Sequence, residues 1–99
     1  MRYGCDMRGM LSFQILWLLS KKSMHGEQLA GEIEKRRGQK PKAGTIYPAL
    51  KDLKNKKLVA RQKKGKTVKY SITPEGKRAI KQAQKYFIKC FNDVFLDSK

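Results

Sequence analysis

"PKAGTIYPALKDL", residues 41–53, decides how the rest of the chain is read. Ile46, Leu50 and Leu53 recur at helical spacing. Pro41 and Gly44 stand just ahead as punctuation at a helix start. Pro48 sits among the apolar positions, although a proline removes an intrahelical hydrogen bond. Its place close to the start confines that loss to the first turn, where backbone groups lack helical partners anyway. The spacing therefore predicts a helix from about Gly44 to Lys56. On a helical wheel Gly44, Pro48, Lys51 and Asn55 fall opposite Ile46, Leu50 and Leu53, with Tyr47 and Lys54 on the flank. The dry face docks on a core, while the outer face is small at its start and basic further along. That suits a helix whose N-terminal end enters a major groove. Gly44 allows close approach, helix-start N–H groups can bond phosphate, and lysines neutralise backbone charge.

The whole chain has the charge such a helix would need. Its 99 residues carry 24 Lys and Arg against 8 Asp and Glu, a net charge of +16. Charge this lopsided points to a polyanion, nucleic acid first and an anionic membrane second. The length is that of one small domain with a limited core, which a partner surface would help. Cys5 and Cys90 are far apart and neither belongs to a CxxC pair. With His25 the sole histidine, one chain cannot assemble a zinc set. Free thiols in a reducing, cytoplasmic compartment are expected. "MLSFQILWLL" (10–19) follows a basic N-terminus as a signal peptide would, but it is too short to span a bilayer, and "SKKSMHG" follows it in place of a small-residue cleavage site. It reads as a buried helix.

Outward from the opening stretch, the pattern predicts a mainly α chain with one β-hairpin. A first helix runs from about Arg8 to Ser20 and is apolar almost all round, which implies burial on several sides and a partner subunit on one of them. "KKSMHG" (21–26) is a turn. Glu27 to Arg37 reads as a short surface helix with a narrow stripe of Leu29, Ala30 and Ile33, and "RRGQKPKAG" (36–44) breaks it. In "LVARQKKGKTVKYSI" (58–72) the period changes: Val68, Tyr70 and Ile72 alternate with Lys69 and Ser71, and "KKGK" (63–66) forms a basic hairpin tip. Thr73 offers an N-cap, Pro74 suits the first helical position and Glu75 suits the positive helix end. The last helix, to about Phe95, would be roughly 33 Å long. Ile80, Ala83, Phe87, Cys90, Phe91 and Val94 make one wide apolar stripe that Phe95 broadens, opposite Lys77, Lys81, Lys85 and Lys89. The order α-α-α-β-β-α, with a short Gly/Pro connection between the second and third helices, is that of a winged helix-turn-helix. Residues 1–73 would form the DNA-binding domain and 74–99 a C-terminal dimerisation helix.

Three motifs then occur in register. "ILWLLSKKSMHGEQLAGEI" (15–33), "GTIYPALKDLKNKKLV" (44–59) and "KYSITPEGK" (69–77) resemble, respectively, the first two helices with their "HG" turn, the recognition helix with its "GT-hydrophobic-YPAL" signature, and the second wing strand with the start of the last helix, of PadR-family transcriptional regulators of the short kind. The resemblance covers roughly residues 10–80. Glu27 departs from it, standing where the family usually has an aromatic. The resemblance implies a winged helix that dimerises through its first and last helices and binds an inverted repeat near a promoter, usually as a repressor. In many members a small-molecule effector at or near the dimer interface relieves binding.

Together these readings nominate Lys42, Gly44, Thr45, Tyr47, Pro48, Lys51, Lys54, Lys64 and Lys66 for double-stranded DNA. Leu11, Ile15, Leu18, Ile80, Phe87, Phe91, Val94 and Phe95 are nominated for a homodimer interface. No metal, cofactor or membrane is called for. No Ser/His/Asp set or phosphate-cradling loop suggests an enzyme, and a cytoplasmic, nucleoid-associated protein is expected. Two other functions fit the composition: an abundant architectural protein that coats DNA with little sequence preference, and a winged-helix adaptor for protein or RNA.

Overall fold

The first helix, α1 (Met7–Leu19), is the hub of the molecule. In this computed structural model, which describes residues 7–97, Leu11, Ile15, Leu16, Leu18 and Leu19 are all buried. Around α1 pack α2 (Gly26–Arg37), α3 (Ala43–Asn55), α4 (Pro74–Leu96) and the sheet. From α2 come Leu29, Ala30 and Ile33, from α3 Ile46, Leu50 and Leu53, from the sheet Met24, Val59 and Tyr70, and from α4 Ile80. The core is therefore closed by one chain.

That closure corrects half of the expected interface. Leu11, Ile15, Leu18 and Ile80 are 1%, 0%, 2% and 4% exposed in the single chain, so they have no surface left to give to a partner. An apolar circumference needs cover on every side, and α2, α3, α4 and the sheet supply nearly all of it. Among the described side chains of α1, the apolar ones left at the surface are Met10, with Phe13 and Trp17 half-buried.

Each junction has a local cause. His25 caps α2: its N–H donates to the Gln28 side-chain Oε1 (2.8 Å). Gly38 ends the helix at φ 78°, its N–H returning to the Glu34 carbonyl (2.8 Å), a left-handed cap that glycine adopts without strain. Pro48 is the sixth residue of α3, so the hydrogen bond it cannot make would have gone to the Gly44 carbonyl; the loss falls in the second turn, not the first as expected, because the helix starts early enough for its ladder to begin at the Ile46 N–H. β2 (Val59–Lys64) and β3 (Thr67–Ile72) pair antiparallel from Val59↔Ile72 to Lys64↔Thr67. The two-residue turn between them has Gly65 at φ 60° while Lys66 keeps a negative φ, the type II′ geometry that matches strand twist.

The stretch expected to be a turn, "KKSMHG", contains a short strand instead. β1 (Met24–His25) adds to β3 through Met24↔Tyr70 and His25↔Lys69, giving the order β1-β3-β2. The His25 ring reinforces it, Nδ1 lying 3.2 Å from the Val68 carbonyl. A carbonyl oxygen can only accept, so this nitrogen carries the proton.

The wing, α3 and α4 meet at one point. The Thr73 N–H donates to the Leu58 carbonyl (3.1 Å), and its hydroxyl donates to the Lys57 carbonyl (2.8 Å) while accepting from the Gly76 N–H (3.0 Å). Leu58 in turn donates its N–H to Leu53 of α3 (3.0 Å). Gly76 lies so close to the Leu58 carbonyl that any Cβ there would overlap the oxygen. Gly31, on α2, has open space around it. Gly76→Val should therefore cost about 1–3 kcal/mol, the usual penalty of overpacking. Gly31→Ala should stabilise by about 0.5–1 kcal/mol through helix propensity alone. Denaturant unfolding of the two variants beside the parent chain checks both signs.

Candidate nucleic-acid interface

The helix-turn-helix consists of α2, the loop at 38–42 and α3, and the β2–β3 wing follows directly. α3 buries Ile46, Leu50 and Leu53 and leaves Lys42, Gly44, Thr45, Tyr47, Pro48, Lys51 and Lys54 exposed. Lys64 and Lys66 are exposed at the wing tip. All nine positions nominated from sequence thus lie at the surface, on the helix face turned away from the core or at the hairpin end. The start of α3 is open. Its N-cap is Lys42, whose side chain has no acceptor to offer the helix, and the Thr45 and Ile46 N–H groups turn back to the Lys42 carbonyl (2.9 and 3.0 Å). The N–H groups of Ala43 and Gly44 have no protein acceptor among the described residues. Thr45 is the third helical residue and not the cap.

Tyr47 is placed by a glycine. A Cβ at Gly26 would come within 2.7 Å of the ring's Cε1. The tyrosine therefore lies flat over the first residue of α2, yet remains 44% exposed. It borders a hollow of about 540 Å³ also lined by His25, Arg61, Lys66 and Tyr70. On the sheet, a second hollow is bordered by Lys63, Lys64 and Lys69. Such surfaces accept phosphate oxygens from several directions.

The neighbouring charges keep the helix-turn-helix in shape. Glu27 at the start of α2 pairs with Lys40 in the loop (3.0 Å), and this pairing raises the Lys40 pKa. Glu27, where the resemblance leads one to expect an aromatic after "HG", is thus engaged in an exposed ion pair with the loop. Lys56 pairs with Asp52 (3.0 Å) and Glu32 with both Lys35 and Arg36 (3.0 and 2.9 Å), which holds the Glu32 carboxyl below its usual range. Lys51, Lys54, Lys64 and Lys66 have no carboxylate partner among the described residues.

Arg61 belongs to this surface and was not foreseen. It sits opposite Tyr70 across the ladder, so it shares the face that meets Tyr47. Counting alternation from Val59 would have found it, since Val59 and Arg61 lie on one side of a strand.

On the far side of the molecule an aromatic seam joins α1 and α4. Phe13 stacks on Phe87 (centroids 5.8 Å apart), and Phe87 meets Phe91 (4.7 Å) and Phe95 (6.1 Å). Phe91, Val94 and Phe95 are 43%, 60% and 61% exposed. Beside the seam is a hollow of about 400 Å³ lined by Met10, Phe13, Gln14, Trp17, Arg37 and Gln84. Arg37 donates to the Gln14 side chain (2.8 Å), and partial burial lowers its pKa. Lys21 and Arg36 each sit 5.3 Å from the centre of the Trp17 ring. Cys90 is a free, exposed thiol; Cys5 lies outside the described residues. Among the described residues no cluster of His, Cys, Asp and Glu could hold a metal, and no helix is long and apolar enough to cross a membrane.

Comparison with known proteins agrees with this arrangement. Comparison with curated proteins finds no match. Among solved structures, RosR of H. salinarum is 29% identical with a TM-score of 0.75, over 82% of this chain and 74% of its own. A PadR family transcription regulator from Clostridium difficile is 26% identical with a TM-score of 0.69, over 86% of this chain and 97% of its own. A transcriptional regulator from Clostridium thermocellum, 22% identical, shares the fold with a TM-score of 0.80 over 94% of this chain and 97% of its own. Residues 15–82 match the model of the transcriptional regulator PadR-like family. With the reading helix, the wing and these matches in agreement, the chain belongs to the PadR-like family and is a DNA-binding transcription regulator of winged-helix fold.

Proposed function

We propose that the chain acts as a homodimeric repressor that binds an inverted-repeat operator, each protomer placing the N-terminal end of α3 in a major groove. The observation that carries this reading is the exposed, uncapped start of α3 next to a wing whose lysines lack partners. Gly44 and Thr45 approach the base edges, Tyr47 and Lys51 reach phosphates or bases beside them, and Lys42, Pro48 and Lys54 flank the contact. Lys64 and Lys66 follow the backbone into the neighbouring groove. Two-fold pairing is supported by the seam: Phe87, Phe91, Val94 and Phe95, with Met10, Phe13 and Trp17 of α1, form an apolar strip that a second copy can cover. A repressor then acts by occupying promoter DNA. An effector would enter the hollow beside Trp17 and Arg37, next to that pairing surface. The net charge of +16 favours substantial nonspecific affinity as well, and an architectural role differs from repression by a low ratio of specific to nonspecific binding at physiological salt.

Gly44 gives a test in which stability and binding move in opposite directions. Nothing lies within contact of a Cβ at that position, so the chain itself does not require glycine there. Gly44→Ala should raise thermal stability slightly, by up to about 1 kcal/mol, and weaken operator binding at least about tenfold by obstructing the groove floor. Equal binding by parent and variant in fluorescence anisotropy would remove Gly44 from the interface. Phe91→Glu should yield monomer or aggregate, since burying a side chain of this size is worth about 1.5–3 kcal/mol. A soluble, well-folded Phe91→Glu dimer in sedimentation would move the interface elsewhere.

A further inference from the structure

The surface used by the proposed reading head accounts for only part of the basic charge. A second concentration runs along α4. Lys77, Lys81, Lys85 and Lys89 recur every fourth residue and all are exposed. Between Glu75 and Asp93 this helix contains no acidic residue. None of the four lysines forms an ion pair among the described residues, while the neighbouring Arg78 is 3.9 Å from Glu75. Like charges at this spacing repel one another along a helix, so the ladder stands as a row of one sign with no counter-charge from its own chain.

The ladder has two further properties. It starts beside the C-terminal end of α3, not beside the open N-terminal end. Gly76 and Thr73 fix the start of α4 against Lys57 and Leu58, immediately after the C-terminal end of α3. The open end of α3, at Ala43 and Gly44, lies a full helix length from that junction, about 18 Å. Along α4 itself the ladder extends about 18 Å from Lys77 to Lys89. It also runs along the edge of the apolar strip: Lys81 and Lys85 line one hollow with Phe13, Phe87 and Ile88, whereas Lys77 and Lys89 do not. A partner covering the aromatic seam therefore leaves the lysine row beside the interface.

We propose that the α4 lysine ladder is a second DNA-binding surface, which takes the phosphate backbone of a second duplex while α3 and the wing hold the first. The proposal rests on the DNA-binding reading above. Charge complementarity selects the occupant. Four positive charges over about 18 Å face a strand that presents one phosphate per 3.4 Å of axis, and nothing in the ladder offers base-specific geometry. The contact is consequently sequence-independent and salt-sensitive. A dimer would carry two such rows, so that a protein bound to one duplex bridges to another.

A bridging assay tests this. A bead-immobilised duplex is loaded with protein, washed, and offered a fluorescent duplex of unrelated sequence at physiological salt. The parent chain should retain the second duplex. Lys85→Gln/Lys89→Gln, at the end of the ladder remote from α3, should retain it about tenfold less, since each lost phosphate contact lowers the salt slope by about 0.9. The same variant should load the first duplex with an affinity within about twofold of the parent and remain as oligomeric as the parent in sedimentation. Lys22→Gln/Lys35→Gln removes the same net charge elsewhere and should bridge as the parent does. Bridging undiminished in the ladder variant, or diminished equally in both variants, overturns the proposal. So does a parent chain that loads the first duplex but captures no second, or one that pellets with phosphatidylserine vesicles through these lysines while capturing none. Failure of the parent to load the first duplex instead contradicts the DNA-binding reading itself.

Discussion

The structure depends on covering α1. A helix with Leu11, Ile15, Leu16, Leu18 and Leu19 buried is apolar over most of its circumference, so the remaining elements are arranged as its cover. α3 does this with Ile46, Leu50 and Leu53, and in doing so must turn Gly44, Tyr47, Lys51 and Lys54 outward. The orientation of α3 is thus a by-product of core packing. Its apolar face fixes which residues can face DNA, and a substitution that loosens the core should alter recognition without touching the interface.

The second constraint is the junction at Leu58. Its carbonyl meets Thr73, its N–H meets Leu53, and Gly76 is pressed against it. Through these contacts α3, the wing and α4 keep fixed relative positions. The geometry between the basic face of α3 and the aromatic seam is set within the single chain.

Much of this was legible from residue order. Helical spacing located α3 to within a residue at each end, and the change of period at Val68–Ile72 located the wing. Thr73, Pro74 and Glu75 marked the start of α4, where the Thr73 hydroxyl does accept from the Gly76 N–H. Two features were beyond a one-dimensional pattern. β1 has two residues, too few to show any alternation, and exists because β3 leaves an edge for it to join. The cover of α1 depends on how many elements converge on one helix, which the apolar count of that helix does not reveal. Leu11, Ile15, Leu18 and Ile80 were therefore assigned to a partner when the chain itself buries them. Tyr47 was recognised as exposed, but its seat on Gly26 is a contact between two helices that only the folded geometry supplies.

The central claim is that two copies of α3, fixed in opposite polarity by a two-fold dimer, read one face of the same duplex. Such helices fit only if their half-sites are about 10 base pairs apart, or about 20 for a splayed pair, because a helical turn is roughly 34 Å. The most direct measurement is affinity at fixed salt over a series of operators with base pairs inserted between the half-sites. Five added pairs rotate one half-site by about half a turn, so the account predicts loss of tight binding there, recovery near ten, and weak nonspecific binding throughout. Affinity indifferent to spacing would contradict it.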